Sequence, residues 1–464
     1  MSMSGSMGHG APCFEEAPTE GNGLDAVTTQ RPSLKALAIR GSTWTLTEYA
    51  ISQGLRLISN IILSRLLFPE VFGIMLLVIV FMQALEMFSD LGIGQSVIQN
   101  KRGEERDFLN TAFTLQVLRG FALFAGGVLV AWPAAWIYGT HELLYLIPVT
   151  ALGAIFTGFS SANYLLLNRR MWLARLALIN LGTQCLTIGI TVCLAWLWPS
   201  VWALVLGGVM ACVVKLIATH TLCPGPRDRF HWDAEAARDL FRFGRWIFVS
   251  TLFGFLASRG DQLILGYFLP AAFFGVYGFA SFISQGAVQA LYTISNRVLF
   301  PVYSRLAEAG PEHLRSRMFR VRAVLMAVSV PPVCVLAVFG PQIVELLYDA
   351  RYQDAGWILQ ILAAGGVAGV IGSTTGPVLL AVGDSFRFMI VMAARMTFLL
   401  LAMGVGGYFF GVTGLIVGVA APDLMMYPVL TLCIRKYGVW FPWLDLAGFS
   451  FAAACIGAGW TLWN

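Results

Sequence analysis

The stretch Gly41-Ser-Thr-Trp-Thr-Leu-Thr-Glu48-Tyr-Ala-Ile-Ser-Gln53-Gly-Leu-Arg56-Leu-Ile-Ser-Asn60-Ile-Ile-Leu-Ser-Arg-Leu-Leu67 decides how this chain is read. It is long enough to cross a bilayer, for which about 20 predominantly apolar residues suffice. Yet it carries Glu48, Gln53, Arg56 and Asn60. At about 100° per residue, Thr45, Glu48, Tyr49, Ser52, Gln53, Arg56, Ser59 and Asn60 fall in one arc of roughly 140°. Ile51, Leu55, Ile58, Ile62 and their neighbours cover the remainder. One side of this helix suits lipid. The other carries charges that are expensive at membrane depth, so it is expected to face a bundle interior or a water-filled cavity, with Arg56 near the middle of the wall.

The rest of the chain agrees. Of 464 residues, 58% are hydrophobic and 12% charged, with a mean hydropathy of +0.74. A soluble domain carries about 25% charged residues. The fold class expected is an all-α polytopic membrane protein. A β-barrel is excluded, because its strands alternate over about 10 residues rather than running apolar for about 20. The eight cysteines lie mostly in apolar segments without a C-x-x-C pair, and read as small buried hydrophobes. The five histidines have no metal-ligand spacing, so no metal site and no cofactor are implied. No nucleic-acid partner is expected. Residues 1–32, rich in Gly, Ser, Glu and Thr and without an apolar run, read as a disordered cytoplasmic tail rather than a cleaved signal peptide.

Hydropathy predicts about 13 spans, near 41–67, 71–93, 112–135, 143–166, 176–197, 201–221, 243–268, 271–298, 321–347, 355–381, 386–410, 412–432 and 442–463. Basic residues crowd alternate loops, from Lys101, Arg102 and Arg106 through Arg169, Arg170 and Arg175 to Arg435 and Lys436. By the positive-inside rule those loops are cytoplasmic, so the N-terminus is inside and the C-terminus outside. Arg351 is the clearest exception, with Arg65 at the outer end of the first span.

A shift of 202 residues places Arg40 on Arg242, Trp44 on Trp246, Leu67 on Leu269, Phe72-Gly73 on Phe274-Gly275 and Gln83 on Gln285. Six spans separate the copies. An even number makes the repeat parallel, about an axis along the membrane normal, with a substrate path between the halves. The expected division is a bundle over 33–221, a cytoplasmic linker with an amphipathic helix over 222–242, a second bundle over 243–432, and an additional helix within 433–464.

Polar residues concentrate on the first two spans of each half. Gln83, Glu86, Asp90 and Gly94 share one face of the second span; Gln285, Gln289, Tyr292 and Asn296 share one face of the eighth. The seventh carries Ser258, Arg259, Asp261 and Gln262. Lone charges are Arg119, Lys215, Arg395 and Asp423. Plainer readings stand beside these. Asp90 lies near a span end and reads equally as a cap, Lys215 as a snorkelling side chain, and the amides as interhelical hydrogen bonds. Arginines in a low-dielectric wall bind phosphate through charge-assisted bidentate bonds. Basic centres within polar walls suit an anionic lipid-linked glycan. A cationic drug would prefer acidic walls.

Leu63-Ser-Arg-Leu-Leu-Phe-Pro-Glu-Val-Phe-Gly73 resembles the joint after the first helix of polysaccharide transporters. Asp90-Leu-Gly92 followed by Gln99, Phe243-Gly-Arg-Trp246, and Asp261-Gln-Leu-Ile-Leu-Gly266 followed by Gly275-Val-Tyr277 resemble later motifs of the same family, in order, over about residues 35–435. The family is the Wzx-type oligosaccharide flippases, in the multidrug/oligosaccharidyl-lipid/polysaccharide exporter superfamily. The resemblance implies two six-helix bundles around a V-shaped cavity lined by the first, second, seventh and eighth helices. It implies transfer of undecaprenyl-diphosphate-linked oligosaccharide across a bacterial inner membrane, with a polysaccharide polymerase and export machinery as further partners, and no enzymatic activity. Carried over by position, Arg56, Asp90, Arg259 and Asp261 are cavity candidates. With the polar faces read above, Arg56, Arg259, Gln53, Asn60, Arg119 and Gln289 are the substrate-binding candidates. Glu48, Asp90 and Asp261 are candidates for carrying a coupled proton or ion. The rival readings are a cation-coupled multidrug exporter of the same superfamily, a polysaccharide polymerase or ligase, and a non-transporting scaffold. The chain departs from relatives with 14 spans by ending after about 13.

Overall fold

The structure, a computed structural model, describes residues 34–89, 92–100, 102–235, 238, 254–256, 258–294, 311–375, 378–379 and 384–463. Among them every regular element is helical. Helix α1 (Leu34–Leu66) ends at the Phe68-Pro69 joint, and Pro69 opens α2 (Pro69–Phe88), where its fixed φ suits a first turn. The short α3 (Ile93–Gln99) leads to α4 (Arg106–Tyr138). The fourth predicted span is a bent pair, α5 (Leu143–Gly158) and α6 (Asn163–Arg169), turned by 68°. Helices α7 (Leu173–Leu197) and α8 (Val201–Leu222) complete the first half.

The second half repeats the order. It comprises α9 (258–268), α10 (Ala271–Ile294), α11 (Pro311–Leu347) and α12 (Ala355–Ser373), then α13 (Ser385–Ala420), α14 (Pro422–Arg435) and α15 (Pro442–Trp463). Inside α13 the chain reverses at Gly411, whose φ of 59° is in the left-handed region open to glycine. Gly406 and Gly414 then lie backbone to backbone, each where a methyl group would meet the other's carbonyl. This is the predicted division between spans at 410 and 412. Among the described residues seven helices are long and apolar enough to cross a membrane, eight if the bent pair is one span. The predicted limits of the seventh span before 254, the tail, and the motif residues 90–91 and 243–246 lie outside the described residues.

The two halves meet through α2 and α10. Phe72 packs edge-on against Phe279 at 4.7 Å, and Phe279 against Tyr348 and Tyr352 at 4.9 and 4.8 Å. A single core cluster runs from Leu77 and Val78 through Phe274 and Tyr277 to Ile358 and Leu359. Two tyrosines close the same end. Tyr138 at the end of α4 donates to the Leu263 carbonyl in the other half (3.0 Å), and Tyr352 after α11 donates to the Leu67 carbonyl in the first (3.0 Å). Arg351, the outlier among the loop charges, lies over the Phe68 ring at 5.0 Å and reaches the Ser64 and Arg65 carbonyls at the end of α1 (3.4 Å each). A cation at a helix C-terminus is favourable, which accounts for a basic residue on a side otherwise nearly bare of them.

The linker's described part, 223–235, is mostly irregular and is sewn to the first half. Asn163 donates to the Pro226 carbonyl (2.9 Å), the Arg229 N–H donates to Asn110 (3.1 Å), and the Asp233 N–H donates to Thr111 (3.0 Å). Arg102 pairs with Asp233 and Glu235 at 3.0 and 3.1 Å. Of the amphipathic helix expected to open at Trp232-Asp233, residues 232–233 are irregular and 234–235 and 238 are helical; the others lie outside the described residues.

The last helix is fixed from inside. Arg322 on α11, 0% exposed, pairs with Asp445 on α15, 1% exposed, at 2.5 Å. Thr374 accepts from Arg322 Nε (3.1 Å), and the Tyr427 hydroxyl donates to Asp445 Oδ2 (2.8 Å). Neither member of this pair stood out in the sequence. Arg322 reads as the end of a basic loop, and Asp445 as an acidic residue in a first helical turn.

Candidate functional site

The amphipathic reading of α1 places its polar arc correctly. Ile51, Ile58 and Ile62 on the opposite arc are exposed, Ile58 by 54%. The polar arc pairs with α7 in a ladder. Glu48 accepts from Asn180 Nδ2 at 2.7 Å. One turn on, Ser52 donates to Gln184 Oε1 at 2.7 Å, and Gln184 Nε2 returns a bond to the Ser52 carbonyl at 3.0 Å. Both rungs join residues 132 apart. The next rung would set Arg56 against Ile188, which has no acceptor. Among the described residues Arg56 makes no ion pair or side-chain hydrogen bond, and its guanidinium is left to the space between the helices.

That space is a chamber of about 580 Å³ walled by α1, α2, α7, α8 and α10. Its polar wall is Arg56, Ser59, Asn60, Asn180, Gln184 and Lys215; its apolar wall is Phe72, Leu76, Ile79, Phe279 and Phe282. Both halves contribute, through α2 and α10. Among the described residues two cations line it, and no carboxylate does. Lys215, read from sequence as a snorkelling side chain, stands 5.3 Å from the centre of the Tyr164 ring. The Tyr164 hydroxyl donates to Asn180 Oδ1 at 2.7 Å. Asn180 is therefore held on both sides of its amide, by Glu48 and Tyr164.

A second chamber of about 400 Å³ lies within the C-terminal half, walled by α9, α10, α12, α13 and α14. Asp261 and Gln289 line it, with Ser281, Gln285, Arg395 and Asp423. Asp261 is 6% exposed and accepts from the Tyr277 hydroxyl at 2.5 Å. Arg395 Nε donates to Asp423 at 2.7 Å. The charges of the two chambers differ: two cations in the first, two carboxylates and one arginine in the second.

The other candidates lie elsewhere. Gln53 donates to the Tyr49 hydroxyl (3.3 Å) and is outside the chamber wall. Arg119 ties α4 to the end of α2, donating to Ser89 Oγ (3.0 Å) and the Glu86 carbonyl (2.8 Å). Arg259 is half-buried on α9 and belongs to neither wall. Asp90 is outside the described residues. Among the described residues no group of three or more His, Cys, Asp or Glu is placed to hold a metal ion. Asn180 and Gln184 are cavity residues that the sequence reading passed over, and Lys215 is one that it read as a snorkelling side chain. Their signal was weak, since a lysine near a span end and an asparagine in a threonine-rich helix are both common structural residues.

The profile of the polysaccharide biosynthesis protein family matches residues 62–356, well over half the chain. The protein belongs to this family. It is 24% identical over 426 residues to the lipopolysaccharide biosynthesis protein WzxC of Escherichia coli (strain K12), covering 88% of this chain and 85% of WzxC. Its fold is that of the lipid II flippase MurJ in an inward closed conformation, with a TM-score of 0.69 at 12% identity, over 92% of this chain and 93% of MurJ. It is also that of a multidrug resistance MATE transporter of the MOP superfamily in an inward-facing conformation (TM-score 0.61, 15% identity, 90% and 96% covered). Two helical bundles about a pseudo-two-fold axis, read from the 202-residue shift, are thus the architecture of this polysaccharide biosynthesis protein. In it the larger chamber lies where the bundles meet, and the smaller one lies in the second bundle alone.

Proposed function

We propose that the protein is a flippase. It carries an undecaprenyl-diphosphate-linked oligosaccharide from the cytoplasmic to the periplasmic leaflet of a bacterial inner membrane, for surface polysaccharide synthesis. One observation carries this reading: among the described residues the chamber between the bundles has Arg56 and Lys215 in its wall and no carboxylate. A diphosphate offers two anionic groups, and two cations exposed to one chamber match them. Neutral amides beside them suit the sugar, and the apolar wall suits the first part of the lipid. The family supports polysaccharide synthesis as the setting. The fold, shared with a flippase and an exporter, supports transport rather than enzymatic chemistry.

The mechanism is alternating access by rocking of the bundles. They are joined at the ends read as periplasmic, by Gly73, Gly275, Tyr138 and Tyr352, so the chamber faces the cytoplasm in this state. Glu48 is the favoured coupling group. It reaches the chamber wall through Asn180, whereas Asp261 is engaged by Tyr277 in the other chamber. The membrane potential supplies about 2.3 kcal/mol per charge per 100 mV, enough to bias a cycle that moves one or two charges. The lipid-linked oligosaccharide then passes to a polymerase and export machinery on the outer side. A cationic drug as cargo is disfavoured by the same two cations.

The test is genetic. In a strain lacking the protein, lipid-linked oligosaccharide should accumulate facing the cytoplasm. Wild-type protein should relieve this and Arg56→Ala should not, at equal membrane abundance. Normal export by Arg56→Ala would overturn the assignment.

A further inference from the structure

Helix α10 is a partition. Gly275, Gly278, Phe279 and Phe282 face the chamber between the bundles, while Tyr277, Ser281, Ser284, Gln285 and Gln289 face the chamber of the C-terminal bundle. The second set is neutral and recurs at helical spacing along one stripe. It is also organised before any ligand arrives. Gln285 Nε2 donates to Ser281 Oγ at 2.8 Å, and Tyr277 donates to Asp261. Ser281 and Ser284 are 4% and 6% exposed. Across the chamber, Gly369 lets Asp423 press against α12, where a methyl group would come within 2.6 Å of Asp423 Oδ2. This holds the carboxylate in line with Arg395 (2.7 Å).

A chamber of about 400 Å³ is within the range of small-ligand sites, roughly 300–1,000 Å³. Its hydroxyls, amides, buried carboxylate and guanidinium–carboxylate pair, set among apolar residues such as Phe388, Met392 and Leu430, offer both donors and acceptors. That is poor chemistry for a phosphate, because the carboxylates would repel it. It is poor chemistry for an acyl chain, because its polar groups would lose their partners. It is good chemistry for the hydroxyls of an uncharged sugar, each of which donates and accepts at once.

We infer that the C-terminal chamber is a carbohydrate subsite. It binds neutral sugar residues of the cargo's head group, with Gln285 and Gln289 as its selectivity residues. This rests on the flippase reading for where the sugar comes from, but not for whether sugar binds. The diphosphate and the sugar next to it then lie on one side of α10, and the more distal sugars on the other. A site built to hydrogen-bond a hydroxyl rejects analogues that lack it, which provides the second chamber with the means to choose among glycans that share one lipid carrier.

The test uses the full-length protein in lipid nanodiscs and two soluble probes. One is inorganic pyrophosphate. The other is the oligosaccharide released by mild acid from the host's own lipid-linked intermediate. Binding is read by calorimetry and saturation-transfer NMR. The double variant Gln285→Ala/Gln289→Ala should weaken oligosaccharide binding about tenfold, the scale for losing one or two hydrogen bonds, and leave pyrophosphate unchanged. Gln285→Asn, one methylene shorter, gives the same reading if the double variant does not fold. Arg56→Ala should do the reverse. Oligosaccharide affinity within twofold of wild type in the glutamine variants would overturn the subsite, as would a chamber that binds sodium ion and no sugar. Pyrophosphate binding that ignores Arg56 would instead count against the flippase reading.

Discussion

Gly73 and Gly275 pack against each other across the axis that relates the two bundles, and the contact is reciprocal. A methyl group on Gly73 would run into the Ala271 carbonyl and lie 3.1 Å from the Gly275 nitrogen; one on Gly275 would run into the Pro69 carbonyl and lie 3.0 Å from the Gly73 nitrogen. Both pairs, 73 with 275 and 69 with 271, are separated by the same 202 residues that relate the sequence halves. The repeat register is therefore also a contact in space.

This contact makes glycine irreplaceable at both positions. Gly73→Val or Gly275→Val should destabilise the state closed at these ends by about 1–3 kcal/mol, the usual cost of overpacking. Gly54→Ala is the control, because a methyl group there meets nothing within 4 Å, and a helical glycine gains about 1 kcal/mol on becoming alanine. Thermal unfolding in detergent and export in cells should both fall for the first two and not for the third.

The rung between Glu48 and Asn180 predicts a charge-specific defect. Asn180→Asp replaces a donor by a second carboxylate where the two groups are now 2.7 Å apart. Export should drop by about tenfold or more, since like charges at this separation are strongly disfavoured. Adding Glu48→Gln restores one donor and one acceptor to the rung. The double variant should therefore recover thermal stability relative to Asn180→Asp alone while export stays low, because glutamine cannot carry the coupled proton or ion; export at the wild-type level would remove Glu48 from coupling.

The pair formed by Arg322 and Asp445 gives a stability test. Asp445→Ala leaves a guanidinium buried without its counter-ion and should cost about 3–5 kcal/mol. The double variant Arg322→Met/Asp445→Leu removes both charges and should regain most of that loss. Arg322 Nη1 has no partner among the described residues even now, so the wild-type arrangement is not fully compensated. Unfolding of the purified protein followed by tryptophan fluorescence would resolve the three variants.

Asp384 caps α13 at the membrane edge. Tyr437 donates to Oδ2 at 2.6 Å, and the Arg387 N–H donates to Oδ1 at 3.0 Å. The Tyr437 hydroxyl first, then the Arg387 backbone N–H and charge, hold this carboxyl below the usual carboxylate range. Its stabilising effect is full above the unfolded value of about 3.9 and is lost as pH falls through the lower folded value. Amide exchange in the first turn of α13 should therefore quicken only below about pH 4. Asp384→Asn, which retains a cap but does not titrate, should remove that dependence.

The spans were legible in the sequence because a bilayer imposes length and hydropathy together. The break at Gly411 and the amphipathic arc of α1 fall where an apolar run or its face changes, whereas the bend after Gly158 lies inside a run read as one span, 143–166. The cavity was half legible. Arg56 and Asn60 declared themselves, since a charge in mid-span has few structural excuses. Lys215 and Asn180 did not, because their significance depends on Tyr164 and Glu48 in other helices. Asp445 was invisible for the same reason, as its partner is 123 residues away. Gln53 and Arg119 show the converse: polar residues in promising spans that serve a neighbouring side chain or a helix end instead.

The two-sided character of α10 bears on how loading and movement are linked. A rigid rod that forms one wall of each of two rooms cannot turn without altering both at once. A turn of α10 by one residue, about 100°, that carries the serines and glutamines toward the larger room takes them out of the smaller one. A head group gripped in the smaller room would thus resist or assist the opening of the larger one, so the identity of the sugar would be felt as a change in turnover as well as in affinity.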